Sequence, residues 1–332
     1  MEAALPPDRL AAVAALTRDR VAAKRATWDR WNLLAEAERV CAAIRCRTPR
    51  DRTVMIDAVA TAAETQSVPL KEYRYSVPAN ALPHLRRGAQ GVFDFHGSRL
   101  YTDAATLASE EAVMAARDDD GGPAIRATAA MEALASYKHH GMFGLHSDQR
   151  AAASEVLLSG NRLDAVVGPA GTGKTTTLGA VKAAWESEFG TGSVVGLAPA
   201  AASAEVLGRE LSMVTENVAK WLYESVGRGA SQRAERFFAA EERLVNSGAA
   251  NTPLAQEATR LAAEQNRWRF HPNQLVVDDE ASMVSTLQLS ALVHQAGMRA
   301  PKFSWSVIRP NWMPSMPAAC SAGWTGKAKP PD

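Results

Sequence analysis

The stretch that most constrains this chain runs from Leu163 to Thr177: a short apolar run, then Gly168-Pro169-Ala170-Gly171-Thr172-Gly173-Lys174-Thr175-Thr176, then helix-forming residues. A polyphosphate needs several backbone N–H donors converging on it, and glycine lets the main chain come close without a Cβ clash. Gly168, Gly171 and Gly173 supply that freedom. Lys174 is spaced to reach the β- and γ-phosphates, and the Thr175 hydroxyl to ligate Mg²⁺. A helix opening here aims its N-terminal dipole at the anion, and Val166-Val167 supplies the strand before the loop. The stretch reads as a phosphate-binding P-loop, and it predicts an α/β fold with a parallel sheet and helices on both faces.

A second acidic element completes a nucleotide site. Gln274-Leu-Val-Val-Asp278-Asp279-Glu280 is an apolar strand ending in acid, the position at which a nucleotidase holds Mg²⁺ and its water-activating base. Asp279 fits the metal role and Glu280 the base, one carboxylate holding the ion while its neighbour faces the attacking water. A shifted assignment, with Asp278 on the metal and Asp279 as the base, is the less favoured alternative. Asp278 stands where another apolar residue is expected, and a bare buried carboxylate is costly. It is therefore expected at a solvent-facing strand end or hydrogen-bonded. No Asn-Lys-x-Asp guanine-reading motif follows, and the Asp-Glu pair points to activated water rather than an acceptor substrate. ATP is the expected ligand, with hydrolysis as the expected reaction.

The 332 residues allow about two domains, and 46% hydrophobic with 22% charged residues is ordinary globular composition. A net charge of +1 gives no overall attraction for nucleic acid, so such binding has to come from a local surface. Cys41, Cys46 and Cys320 are too few and too uneven for a disulfide scaffold or a four-ligand zinc site. The chain has no run of 18 apolar residues, and Glu2, Pro6 and Asp8 stand where a signal peptide carries basic then apolar residues. A soluble cytoplasmic protein without membrane partners is expected.

Residues 1–117 read as a helical plus small α+β region, 118–143 as a linker and helix, 144–298 as the ATPase domain, and 299–332 as an aberrant tail. Helical spacing over Asp8–Arg45 predicts two helices or one broken one, with Trp28 and Trp31 both as packing residues. Thr48-Pro49 opens a further helix. Breakers from Pro69 to Gly97 predict a small irregular insert in which Gly91–Phe95 and Ser98–Tyr101 form short strands. His84, Arg86, Arg87 and His96 there are read as solvated surface. Thr102 or Asp103 caps a helix to Ala116, and Ser147 or Asp148 caps the helix before the P-loop. Ser193–Leu197 is a strand, and helices are expected over about Ala201–Leu211, Glu216–Glu224, Arg233–Asn246 and Leu254–Gln265.

Taken together, Leu145-His-Ser-Asp-Gln149-Arg150, the P-loop, Val194-Val-Gly-Leu-Ala-Pro199 with its following helix, Thr215–Leu222 and Val276-Val-Asp-Asp-Glu-Ala-Ser-Met-Val284 resemble a superfamily 1 DNA helicase of the RecD-like branch. More narrowly, residues 1–298 resemble the helicase-side portion of a TraA/TrwC-type conjugative relaxase-helicase of actinobacterial elements. The resemblance implies a RecA-like domain in which Gln149 reads adenine and Lys174, Thr175, Asp279 and Glu280 run ATP hydrolysis. It also implies that Pro199–Ala204, including Ala200 and Ser203, touch single-stranded DNA, and that other conjugation proteins are partners. The tyrosine nucleophile and three-histidine cluster of the family's relaxase domain have no counterpart among the seven scattered histidines. The second RecA-like domain, which supplies arginine to the γ-phosphate, is also missing, so half a motor is expected.

From about Met298 the sequence changes character, with Pro301, Pro310, Pro314, Pro317 and three tryptophans in place of the family's next strand and its Gly-Asp-x-x-Gln-Leu motif. Back-translating Ser304–Trp312 with G or C at free third positions and TCN serine codons, then sliding one nucleotide, yields Leu-Val-Val-Gly-Asp-Pro-Ala-Gln-Leu. A frameshift is therefore expected near here, with a disordered tail after it. The competing readings are a non-catalytic nucleotide-binding or interaction module, and a pseudogene product without function.

Overall fold

The computed structural model describes residues 5–70, 86–87, 90–91, 99–169, 171–247, 252–297 and 301–308. The chain divides into two compact units, Met1–Glu110 and Glu111–Asp332.

Among the described residues the first unit includes the helices α1 (Pro7–Ala22), α2 (Arg30–Val40) and α3 (Pro49–Thr65). Their starts follow from local chemistry: Asp29 Oδ1 accepts the Asn32 N–H at 2.8 Å, and Thr48 Oγ1 accepts the Asp51 N–H at 3.1 Å with Pro49 in the first turn. Two short antiparallel ladders follow, in which β1 (Val68–Pro69) and β2 (Arg86–Arg87) pair with β4 (Tyr101–Thr102) and β3 (Gln90–Gly91) respectively. Most of the expected insert, including His84 and His96, lies outside the described residues. Trp28 is fully buried with Ala14, Leu33 and Ala63, and its indole N–H donates to Ser67 Oγ at 3.3 Å. Trp31, expected beside it in the core, is instead 64% exposed. Trp28 precedes the Asp29 cap and bridges Tyr101, so the two tryptophans do not share a helix, and the inward face of α2 belongs to Leu33 and Ala37.

The helix α4 (Ala104–Asp118), opened by Asp103 accepting the Thr106 N–H at 2.6 Å, runs across the division between units. The second unit continues with α5 (Ala127–Ser136), α6 (Ser147–Leu158), β5 (Leu163–Gly168), α7 (Lys174–Phe189), β6 (Val194–Ala198), α8 (Ala201–Leu211) and β7 (Val214–Asn217). It is completed by α9 (Val218–Ser225), α10 (Arg228–Asn246), α11 (Thr252–Arg267), β8 (Leu275–Asp278), α12 (Thr286–Gly297) and β9 (Lys302–Ile308). The five strands form one sheet in the order β5-β9-β8-β6-β7, every pairing parallel. Period-two alternation sends Leu275 and Val277 into a core with α5, α6, α7 and α8, and Val276 into the opposite core with α4, α9 and α12. Helices thus cover both faces.

Three local readings change. The helix α6 begins at Ser147 with His146 as its cap residue, and the side chain of Gln149 accepts the His146 N–H at 3.1 Å, where Ser147 or Asp148 was expected to cap. Val214–Asn217 form strand β7 beside β6, so the following helix starts only at Val218, where Asn217 Oδ1 accepts the Lys220 N–H at 2.8 Å. The tail expected to be disordered from 299 contributes β9, which lies between β5 and β8. Main-chain pairing on both sides holds that strand whatever its side chains, and Phe303 packs edge-on against Phe270 with ring centroids 5.5 Å apart. Residues 309–332 lie outside the described residues.

Lys302 opens β9 in a fully buried position. Its Nζ donates to Ser159 Oγ at 2.7 Å and lies 3.0 Å from Asp164 Oδ2, while Asn161 Nδ2 donates to Asp164 Oδ1 at 3.1 Å. Burial pulls the Lys302 ammonium below its ordinary range, and the Asp164 charge opposes that. Removing one partner of such a pair strands the other in a dry environment. Lys302→Ala is expected to lower the unfolding free energy by about 3 kcal/mol, read by urea denaturation followed through tryptophan fluorescence.

Candidate nucleotide site

The strand β5 ends at Gly168 and α7 begins at Lys174, so the P-loop spans the gap between a strand's carboxyl end and a helix N-terminus. Ala170 lies outside the described residues. Gly171 and Gly173 both have φ +78°, a conformation that favours glycine. At Gly173 the constraint is double, because a Cβ there would stand 2.2 Å from Gln149 Nε2. A Cβ at Gly168 would meet Thr172 Oγ1 at 2.9 Å, and that hydroxyl donates to the Pro169 carbonyl at 2.8 Å. The cradle is therefore shaped by the absence of side-chain bulk.

Its donors face one way. The Thr177 N–H bonds back to the Gly173 carbonyl at 3.0 Å, which leaves the N–H groups of Lys174, Thr175 and Thr176 ahead of the helix ladder, where an anion can accept from them. Lys174 Nζ donates to the carbonyls of Gly168 at 2.9 Å and Pro169 at 2.8 Å. Thr175 is half-buried, and Thr176 is buried beneath the loop. A triphosphate with Mg²⁺ suits this donor set: converging N–H groups, one ammonium and one hydroxyl.

Gln149 sits on the loop. Its Nε2 donates to the Thr172 carbonyl at 3.1 Å while its Oε1 holds the His146 N–H, so one amide ties the start of α6 to the phosphate loop. That tether was not legible from spacing, since nothing in the residues between indicates that the α6 start and the loop meet.

The acidic pair arrives from β8. The Asp279 N–H donates to the Leu197 carbonyl of β6 at 3.0 Å, and Asp279 and Glu280 lie half-buried just past the strand's carboxyl end. Glu280 has φ +61°, unusual for a residue with a side chain, and opens a short 3₁₀ turn over Ala281–Met283. Because the sheet is parallel, the P-loop and this pair project from the same edge. Pro199 follows β6 at that edge too, Ala200 caps α8, and Ser203 is half-buried in its first turn.

Asp278 departs from expectation. It is neither at a solvent-facing strand end nor hydrogen-bonded: it is fully buried, and among the described residues neither carboxylate oxygen has a hydrogen-bond partner. Burial first, and the neighbouring Asp279 charge second, raise its carboxyl well above the ordinary range. The strand needs its main chain and the core claims its side-chain volume, which an isolated reading of acidity could not foresee.

Residues 144–302 match the family described as an AAA domain. No curated protein matches the chain. The match runs from just before α6 to the first residue of β9, and the five-stranded parallel sheet with helices around it is that of a P-loop NTPase fold. Among the described residues, no helix is long and apolar enough to cross a membrane.

The buried carboxyl gives a signed prediction. In the folded chain Asp278 keeps a proton that the unfolded chain releases near pH 4. Stability therefore falls as pH climbs from about 4 through the raised folded value, where the loss levels off. Asp278→Val is expected to raise the thermal midpoint at neutral pH and to flatten this decline, measured by calorimetry across a pH series.

Proposed function

We propose that residues 144–308 form the ATP-hydrolysing half of a DNA motor of the RecD-like kind, serving a conjugative relaxase-helicase. The observation that carries the reading is the convergence of three segments on one sheet edge: the P-loop after β5, the Pro199 segment after β6 and Asp279-Glu280 after β8. In this reading Lys174 and the first N–H groups of α7 bind the phosphates. Thr175 and Asp279 hold Mg²⁺, and Glu280 takes the proton from the attacking water. Asp279 is preferred to Asp278 for the metal because Asp278 is fully enclosed whereas Asp279 lies beyond the strand. In the same reading Gln149, whose Nε2 donates to the Thr172 carbonyl of the loop, reads the base, and Pro199, Ala200 and Ser203 contact single-stranded DNA.

The polypeptide after Lys302 adds a further element to the proposal. The family match stops at that residue, and Ser304 is fully buried in an interior strand with its hydroxyl lacking a partner among the described residues. Parallel strands covered on both faces normally carry Val, Ile or Leu there. The shifted reading of Ser304–Trp312 restores Leu-Val at the start of that stretch. The coding DNA decides the point: a shifted frame that does not continue as sensible ATPase sequence would remove this part of the proposal.

Hydrolysis of Mg·ATP, measured with and without single-stranded DNA, tests the motor reading. DNA-stimulated turnover is expected, abolished in Lys174→Ala. Glu280→Gln is expected to keep nucleotide binding while losing turnover by about 10²-fold or more. Nucleotide binding without any turnover would instead favour an interaction module acting on other conjugation proteins.

A further inference from the structure

The helix α10 turns an unusual face outward. Phe238 is 64% exposed and Val245, two turns on, is 77% exposed, while Glu235, Glu241 and Glu242 stand three or four residues from Phe238 on the same side. The ion pairs of α10 among the described residues use Arg233 and Arg243, which leaves these three carboxylates uncommitted. Arg236 and Arg243 fall on the opposite half of the helix at 3.6 residues per turn. In the same unit a groove of about 210 Å³ lies beside β7. Val195, Val214, Trp221 and Trp268 give it apolar walls, and the exposed Arg267 and Arg269 give it charge. Arg267 is held against the Trp268 ring, 5.2 Å from its centroid, and neither arginine has an ion-pair partner among the described residues. Glu216, the one carboxylate lining the groove, is already paired with Lys220 at 2.6 Å. Gly192 and Gln274 in the lining stand just before β6 and β8, so the groove reaches the end of the sheet away from the P-loop.

We propose that the groove takes the exposed face of α10 from a second copy of this chain, with Phe238 entering between the apolar walls and Glu241 and Glu242 meeting Arg267 and Arg269. Charge selects this occupant: an apolar side chain ringed by free carboxylates faces an apolar groove rimmed by free guanidinium groups, and arginine pairs well with carboxylate. Nucleic acid, the other ligand that two arginines suggest, fits less well. Trp221 is stacked on Phe270 with centroids 4.7 Å apart, and the Trp268 ring is approached by Lys220, Arg233 and Arg267, so neither buried indole offers a free face for a base. Helix and groove are different patches carried by every copy, so docking either closes on a pair or continues from copy to copy. One helix face in one groove is a small contact, and the association belongs with weak, reversible ones. The inference goes beyond the motor reading and does not depend on hydrolysis.

Sedimentation velocity of the full chain over a concentration series, without nucleotide, should show reversible self-association. Phe238→Ser, and the double change Arg267→Glu with Arg269→Glu, are each expected to weaken it at least about tenfold. An equal mixture of these two variants retains one intact helix face and one intact groove, and is expected to form a pair that neither variant forms alone. The double change Glu241→Arg with Glu242→Arg should also lose self-association, and should pair with the chain carrying Arg267→Glu and Arg269→Glu, a recovery that a merely unfolded groove could not give. The proposal is overturned by a chain that stays monomeric throughout the series, by association that either of the first two variants retains, or by variants that fail to pair when mixed. It is equally overturned if the arginine changes abolish oligothymidylate binding and leave self-association intact.

Discussion

Parallel pairing of β8 with β6 is the constraint on which the candidate site rests. The Asp279 N–H bond to the Leu197 carbonyl, 3.0 Å long, extends that pairing one residue past the end of β8. Since all five strands run the same way, every strand delivers its following loop to one edge. Segments far apart in the chain are thereby carried to the same end of the sheet. The P-loop, Pro199 and the Asp279-Glu280 pair share that end because of strand direction, which the main chain sets.

The same sheet carries polar groups that a two-faced parallel sheet ordinarily excludes. Lys302, Asp278 and Ser304 are all fully buried on interior strands. Lys302 is reconciled by Ser159 and Asp164, which extend hydrogen bonding from the loop after α6 into the sheet. Asp278 and Ser304 are not matched in this way among the described residues. The strands β8 and β9 are thus held by backbone pairing against side chains that oppose burial. The candidate site thus adjoins a buried carboxyl, Asp278, that has no hydrogen-bond partner among the described residues.

What could be read from the residues alone was the chemistry that is local in sequence. The loop needs glycines at fixed spacing, and Gly171 and Gly173 adopt the positive φ that this requires. Thr48-Pro49, Asp103 and Ala201–Leu211 mark helix limits through capping and propensity, and these limits recur in the fold. What escaped depends on partners distant in the chain. Trp28 is buried through its pairing with Tyr101, whereas Trp31 faces out; nothing within Trp28–Trp31 distinguishes them. Val214 and Thr215 become a strand because β6 offers an edge, and Lys302–Ile308 becomes one because β5 and β8 leave space between them. Gln149 could be singled out only by resemblance, since its role as a tether is visible only once α6 and the loop are set side by side.

Lys174 has a consequence for how nucleotide affinity should be understood. Two of the three N–H donors of its ammonium are engaged by the carbonyls of Gly168 and Pro169, within its own loop. A phosphate oxygen that takes either donor replaces an existing charge-assisted bond instead of adding one to an idle group. The strength of binding then reports a difference between two sets of partners. The same contacts that moderate it also keep the loop curved around the cation, so the order an anion would otherwise have to impose is held in place by the residue that receives it.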